Sequence, residues 1–208
     1  LLRQGALISL VSYFETLEAD LLNFYYLSYP SALPSEGKLL SLADLREIGS
    51  VEEAEKVLIL KEIDSFLRES TENQIEYSTK RFKVDLKCAQ PYFNALSEVI
   101  LRRNLVVHNE RIVNKLYIKK VDSEIIRNNN IKEGDQLAID GEYLTSAIDT
   151  ICIFGTMMIQ QSWRKWDEKN IEDADTVLRE YTYDLLVEKR WEVVNKVAHY
   201  ASSLNLGS

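Results

Sequence analysis

PYFNALSEVILRRNLVVH, residues Pro91 to His108, decides the fold class of this chain. Proline suits the first turn of a helix, where its missing N–H costs nothing, so a helix is expected to begin near Pro91. At about 100° per residue, with Leu96 set to zero, Tyr92, Leu96, Val99, Ile100, Val106 and Val107 fall between about minus 80° and plus 40°. That stripe is expected to be buried. Arg103 projects near minus 20°, inside the stripe, while Asn104 near 80° and His108 near 120° lie one turn apart on its flank. An Arg, an Asn and a His thus gather at one helix end.

The same periodicity continues in both directions. From Ala6 to Tyr26, the residues Leu7, Leu10, Val11, Phe14, Leu17, Leu21, Phe24 and Tyr25 recur every three or four positions, predicting a first helix. Pro30, Pro34 and Gly37 end it and open a loop. Ser50-Val51-Glu52-Glu53 reads as a capping box for a helix to about Glu69, and Thr71 with Gln74 repeats the arrangement for a helix from Glu72 to about Val84. Asn128-Asn129-Asn130, Gly134 and Asp140-Gly141 are turn formers around Gln136 to Ile139, which predicts a small hairpin or loop insertion at about 122–144. Helical spacing returns with Ile148, Ile151, Phe154 and Met158, and again from Val177 to Ala201, as two closing helices. The reading is an all-α bundle forming a single domain over residues 1–208.

Composition agrees with that class. Seven glycines and three prolines among 208 residues are under half of the roughly 12% ordinary usage, which disfavours turn-dense β folds and Gly-rich phosphate cradles. Hydrophobic residues at 46% supply a core. Cys88 and Cys152 form no CxxC pair, so neither a disulfide framework nor a zinc site is expected, and a reducing cytoplasm is the natural compartment. The most apolar run, Ile148 to Ile159, is too short and too interrupted to span a bilayer. The chain begins at Leu1 instead of Met, which suggests a piece of a longer protein, and Gly207 with Ser208 reads as a cloning remnant.

Net charge is -8 with a pI near 5.0, against loose electrostatic binding of nucleic acid over the whole surface. The sign reverses locally: between Leu101 and Lys120 stand Arg102, Arg103, Arg111, Lys115, Lys119 and Lys120 against the single acid Glu110. A guanidinium in an apolar stripe costs stability unless it is paired. Arg103 therefore either reaches an acid such as Glu15 or Glu98, with His108 closing the helix end, or is placed to hold an anion.

Arg103-Asn104-Leu105-Val106-Val107-His108 resembles the R-[polar]-x-x-x-H motif of HEPN domains, all-helical ribonuclease domains common in prokaryotic toxin and phage-defence systems. The longer string RRNLVVHNERIVNKLY from Arg102 to Tyr117, the helix opening with Tyr13-Phe14-Glu15, the stretch Glu62 to Tyr77 and Tyr183-Asp184-Leu185-Leu186 extend the likeness over most of the chain. It is nearest to the RiboL-PSP type. The resemblance implies metal-independent RNA cleavage, without a cofactor, in which a ribose 2′-hydroxyl attacks the adjacent phosphorus and leaves a 2′,3′-cyclic phosphate. Arg103, Asn104 and His108 would be catalytic, with Arg102, Asn109, Arg111 and Lys115 contacting substrate. An imidazole exchanges protons near neutral pH, and a planar guanidinium fork stabilises charge on phosphoryl oxygens.

The implied partners are single-stranded or looped RNA, a second copy of the chain completing a composite active site, and an antitoxin or sensor domain. Some HEPN toxins carry a Tyr two residues after the His, modified to silence them. Here that position is Glu110, and Tyr117 lies nine residues beyond His108. The competing reading is an inactive HEPN module for dimerisation or RNA binding, with Arg103 paired internally. His199, Trp163, Trp166 and Trp191 are expected to be structural or surface residues.

Overall fold

The first helix, α1 (Leu2–Ser28), buries Leu7, Val11, Phe14, Glu18, Leu22 and Tyr26, one residue per turn along a single seam. In this computed structural model, which describes residues 1–33 and 40–204, α1 pairs with the long helix α8 (Gly141–Trp166) at the centre of the bundle. Between them in sequence come α2 (Leu42–Ile48), α3 (Val51–Leu67), α4 (Thr71–Arg81), α5 (Phe93–His108), α6 (Lys115–Lys120) and α7 (Ser123–Asn128). After α8 follow α9 (Ile171–Val187) and α10 (Trp191–Ser203). Helices α3 and α5 pack on α1, while α9 and α10 pack on α8 and on each other. No strand occurs among the described residues, so the fold is all-α.

The main core interdigitates Leu7, Val11 and Phe14 with Leu96 and Val99 of α5, Phe154 of α8 and Val197 of α10. Phe14 and Phe154 meet edge to face at 5.9 Å, an arrangement that aligns ring edge with ring face. Fully burying a side chain of this size contributes roughly 1.5 to 3 kcal/mol. A second, smaller cluster of Leu105, Val113, Tyr117, Val121, Ile131 and Leu137 ties the segment after α5 to the end of that helix.

Helix starts follow local chemistry. Ser50 accepts from the Glu53 N–H at 3.1 Å and opens α3 as expected. For α4 the cap is Ser70, one residue before the expected Thr71. Pro91 sits in a 3₁₀ turn (Lys87–Tyr92), so α5 begins two residues later, at Phe93. Pro34 and Gly37 lie outside the described residues.

Three expectations need correction. The hairpin does not form: Asp140 accepts from the Tyr143 N–H at 2.8 Å and caps α8, and the β-type pairing here is one isolated bridge, Ile112 to Gln136. Asp-Gly serves here as a helix start instead of a turn between strands. The periodic run from Val177 to Ala201 is two helices, broken where Lys189 takes a left-handed φ of 58°. Val107, expected in the buried stripe, is 46% exposed at the end of α5; Glu98 and Ser97 are buried instead, Glu98 against Tyr117 of the second cluster and Ser97 on the side facing α4. No helix among the described residues is long and apolar enough to cross a membrane.

Candidate functional site at the end of α5

His108 is the last residue of α5, and the chain behind it is bent by two consecutive left-handed residues, Glu110 (φ 48°) and Arg111 (φ 68°). Such conformations cost on the order of 1 to 2 kcal/mol each for non-glycine residues and persist only where neighbours enforce them. The enforcement is visible. The N–H groups of Asn109 and Arg111 both donate to Leu105 O, the Asn109 amide Nδ2 donates to Ile112 O at 2.6 Å, and Gln136 Nε2 donates to Glu110 O at 3.1 Å. Arg111 Nη1 donates to Leu137 O at 3.3 Å, and the backbones of residues 111 and 137 are joined as well. The turn thus frees the imidazole: His108 is exposed and makes no hydrogen bond among the described residues.

Arg103 takes the internal pairing that its position in the stripe made plausible. Its Nη2 donates to Glu15 of α1, while its Nε is buried without a partner. The Arg103 side chain is 16% exposed. The Asn104 side chain, half-buried, makes no hydrogen bond among the described residues. Both residues line a cleft of about 260 Å³ between α1, α4 and α5, whose walls also carry Glu15, Glu18, Glu69 and Glu72. His108 is not among the lining residues. Within one chain, the structure joins Arg103 to Asn104 and leaves His108 on the open helix end beyond them.

Arg102 departs most from its expected role. Its side chain is 11% exposed, with Nε donating to Glu98 Oε1 at 2.6 Å, Nη1 donating to Ala138 O at 3.2 Å, and the guanidinium stacked 3.9 Å from the Tyr143 ring centre. The hydroxyls of Tyr117 and Tyr143 donate to the same Glu98 carboxylate. Burial opposes the Arg102 charge, but Glu98 and the two tyrosines more than restore it. Burial first, then the Glu98 charge, pushes both tyrosine hydroxyls up. Arg102 is therefore a fastener between α5, α6 and α8, its guanidinium occupied by structural partners. Asn109 and Arg111 are largely spent on the turn, whereas Lys115 is exposed on the first turn of α6.

The segment that runs from the end of α5 through α6 carries apolar as well as basic surface. Val107, Ile112 and Leu116 are exposed on it, together with Lys115, Lys119 and Lys120. His199 is exposed on α10, Trp166 is core, Trp163 half-buried and Trp191 exposed on the far helix.

Glu18 is the residue that sequence reasoning missed. It is 7% exposed, occupies the α1 seam between Phe14 and Leu22, and makes no hydrogen bond or ion pair among the described residues. Burial, with the Glu15 charge adding to it, raises its carboxyl to about 8. Its four-residue register with Phe14 and Leu22 was a readable signal, of the same kind as Arg103 in α5.

No protein-family model, curated protein or solved structure matches this chain.

Proposed function

We propose that this chain is a metal-independent endoribonuclease of HEPN type, an effector of a toxin or phage-defence system that acts on single-stranded or looped RNA. The observation that carries the reading is the end of α5: an imidazole without hydrogen-bond partners, an amide one turn before it and a guanidinium beside that amide, on the one strongly basic segment of an acidic chain. In-line attack needs a base to take the 2′-hydroxyl proton and an acid to give one to the leaving 5′-oxygen. Each chain supplies one exposed His108. A two-fold dimer with the two imidazoles facing one groove supplies both, and Val107, Ile112 and Leu116 give that contact an apolar rim. The remaining donors of the Arg103 fork would meet the charge developing on the non-bridging oxygens.

One observation favours the second reading, an inactive HEPN module for dimerisation or RNA binding: Arg103 already has a partner in Glu15. The two separate on products. Incubation with single-stranded RNA in excess EDTA is expected to give fragments ending in 2′,3′-cyclic phosphate and to leave DNA of the same sequence uncut. Binding without cleavage across a panel of RNAs selects the inactive module.

A further inference from the structure

The cleft that Arg103 and Asn104 line has an unusual construction. Two helices that pack together, α1 and α5, each place an ionisable residue at their seam where an apolar one would be expected, the buried Glu18 and the largely buried Arg103 side chain. Both open on the same cavity. Introducing uncompensated polar groups into a seam costs stability, and Glu18 has no partner among the described residues to offset it. A ligand that pairs with the Glu18 carboxyl would account for its retention.

The lining specifies the ligand's chemistry. With Glu18 protonated at neutral pH before a ligand binds, the charged lining residues are Glu15, Glu69 and Glu72 against Arg68, Arg103 and Lys120, three of each sign, so the cleft favours a neutral polar ligand over an ion. Leu67, Ile100 and Leu101 supply apolar walls for the faces of a flat ring. A volume of about 260 Å³ is small beside ordinary ligand pockets of roughly 300 to 1,000 Å³, which suits one heterocycle and excludes a folded strand. Two ring N–H groups pairing with Glu18 favour its ionised form, which gives up its proton to solvent on binding, and carboxylates only accept, so the ring edge must donate. Guanine presents two adjacent donors, N1–H and N2–H₂, whereas uracil flanks its one N–H with two carbonyl oxygens that would face carboxylates unpaired.

We propose that this cleft is a base-recognition pocket that takes guanine from a single-stranded RNA, with Glu18 and Glu72 accepting from its N1–H and N2–H₂ edge and the Asn104 amide donating to O6. The inference rests on the RNA reading above for its placement next to the cleaved phosphate. About five residues of α5, near 7.5 Å of helix rise, separate Arg103 in the pocket from His108.

The test uses the whole chain and 2′-deoxy heptamers, which bind but cannot react: an all-uridine-type strand and strands with one central G, A or C, followed by fluorescence anisotropy. The G strand is expected to bind at least about 10-fold more tightly than the all-U strand, the scale of a good bidentate base contact. Glu18→Leu, which places an ordinary seam residue in α1, and Glu72→Gln, on the exposed rim, are each expected to erase that preference and leave all-U binding within about twofold. Equal binding of all four strands, or a G preference that survives in both variants, overturns the pocket. Tighter binding of free guanosine monophosphate than of the G strand would assign the cleft to a nucleotide and overturn the RNA assignment. The parallel RNA strands keep the two ideas apart: a G preference without cleavage retains the pocket and removes the nuclease, and cleavage without base preference does the reverse.

Discussion

Arg103 of α5 is ion-paired with Glu15 of α1, 88 residues earlier, across the seam where those two helices pack. The pair does two things. It offsets the burial of a guanidinium in an apolar stripe, and it fixes one edge of the fork so that the other edge has a defined direction.

That geometry sets the first prediction. If Arg103 stabilises the transition state, Arg103→Lys loses most of the RNA cleavage rate although the charge is kept, because an ammonium cannot reproduce a held planar fork. Glu15→Gln, which keeps an acceptor and removes the charge, is expected to lower kcat more than it weakens RNA binding. Single-turnover cleavage beside anisotropy measures both. Parent-like cleavage by Arg103→Lys would mean that simple charge suffices.

Arg102 gives the second. Glu98→Ala leaves a buried guanidinium without its counter-ion, and breaking such a pair costs about 3 to 5 kcal/mol. Arg102→Ala should also destabilise, through the Tyr143 stacking and the Ala138 bond. Urea titration reads both losses. A phosphate contact would instead lower the slope of log affinity against log salt by about 0.7 for a single strand, and for Arg102→Ala no such change is expected.

Glu18 provides a pH prediction. Its folded value of about 8 lies above the ordinary carboxylate value of 4.5, so between those values the folded state holds a proton that the unfolded chain has released. Stability from this group is full below about pH 4.5, falls as pH rises and levels off above about 8. The total is on the order of a few kcal/mol. Subtracting the Glu18→Gln curve from the parent curve isolates it: the variant should gain on the parent between pH 5 and pH 8. A difference that is flat with pH would show that Glu18 is ionised and compensated in the folded chain.

The all-α class and the longest helices were legible because heptad-like stripes in α1, α5 and α8 are long, so many residues vote for the same period. Shorter signals were overridden or passed over. Asp140-Gly141 has the composition of a hairpin turn, but its carboxylate finds the Tyr143 amide first. Ser41 and Asp44 form a reciprocal cap for the seven-residue α2, a pattern that was present in the sequence and not read as a helix start. The break between α9 and α10 carries no Gly or Pro, because Lys189 itself takes the left-handed turn. At the site, Arg103, Asn104 and His108 were readable as one helix end, and Glu15 as a possible partner for Arg103. Arg102 had one readable partner, Glu98 four residues earlier, but its other partners Tyr143 and Ala138 come from a helix and a loop far along the chain.

Assembly yields the fourth prediction. A dimer contact that includes Val107, Ile112 and Leu116 should be lost on Leu116→Asp, because a charge enclosed in an apolar contact is desolvated without a partner. Light scattering at micromolar concentration should move from dimer to monomer, and cleavage should fall with it. A parent chain that is monomeric and still cleaves RNA would sink the composite site.

The central claim is that His108 moves the protons of RNA cleavage. The most direct measurement is the single-turnover rate of His108→Ala against the parent on one single-stranded RNA in excess EDTA, with folding checked by urea titration. The side chain is exposed and unbonded, so stability should change by less than about 0.5 kcal/mol, while the rate should fall by about 10² to 10⁴. A folded His108→Ala protein that cleaves at the parent rate would contradict the account.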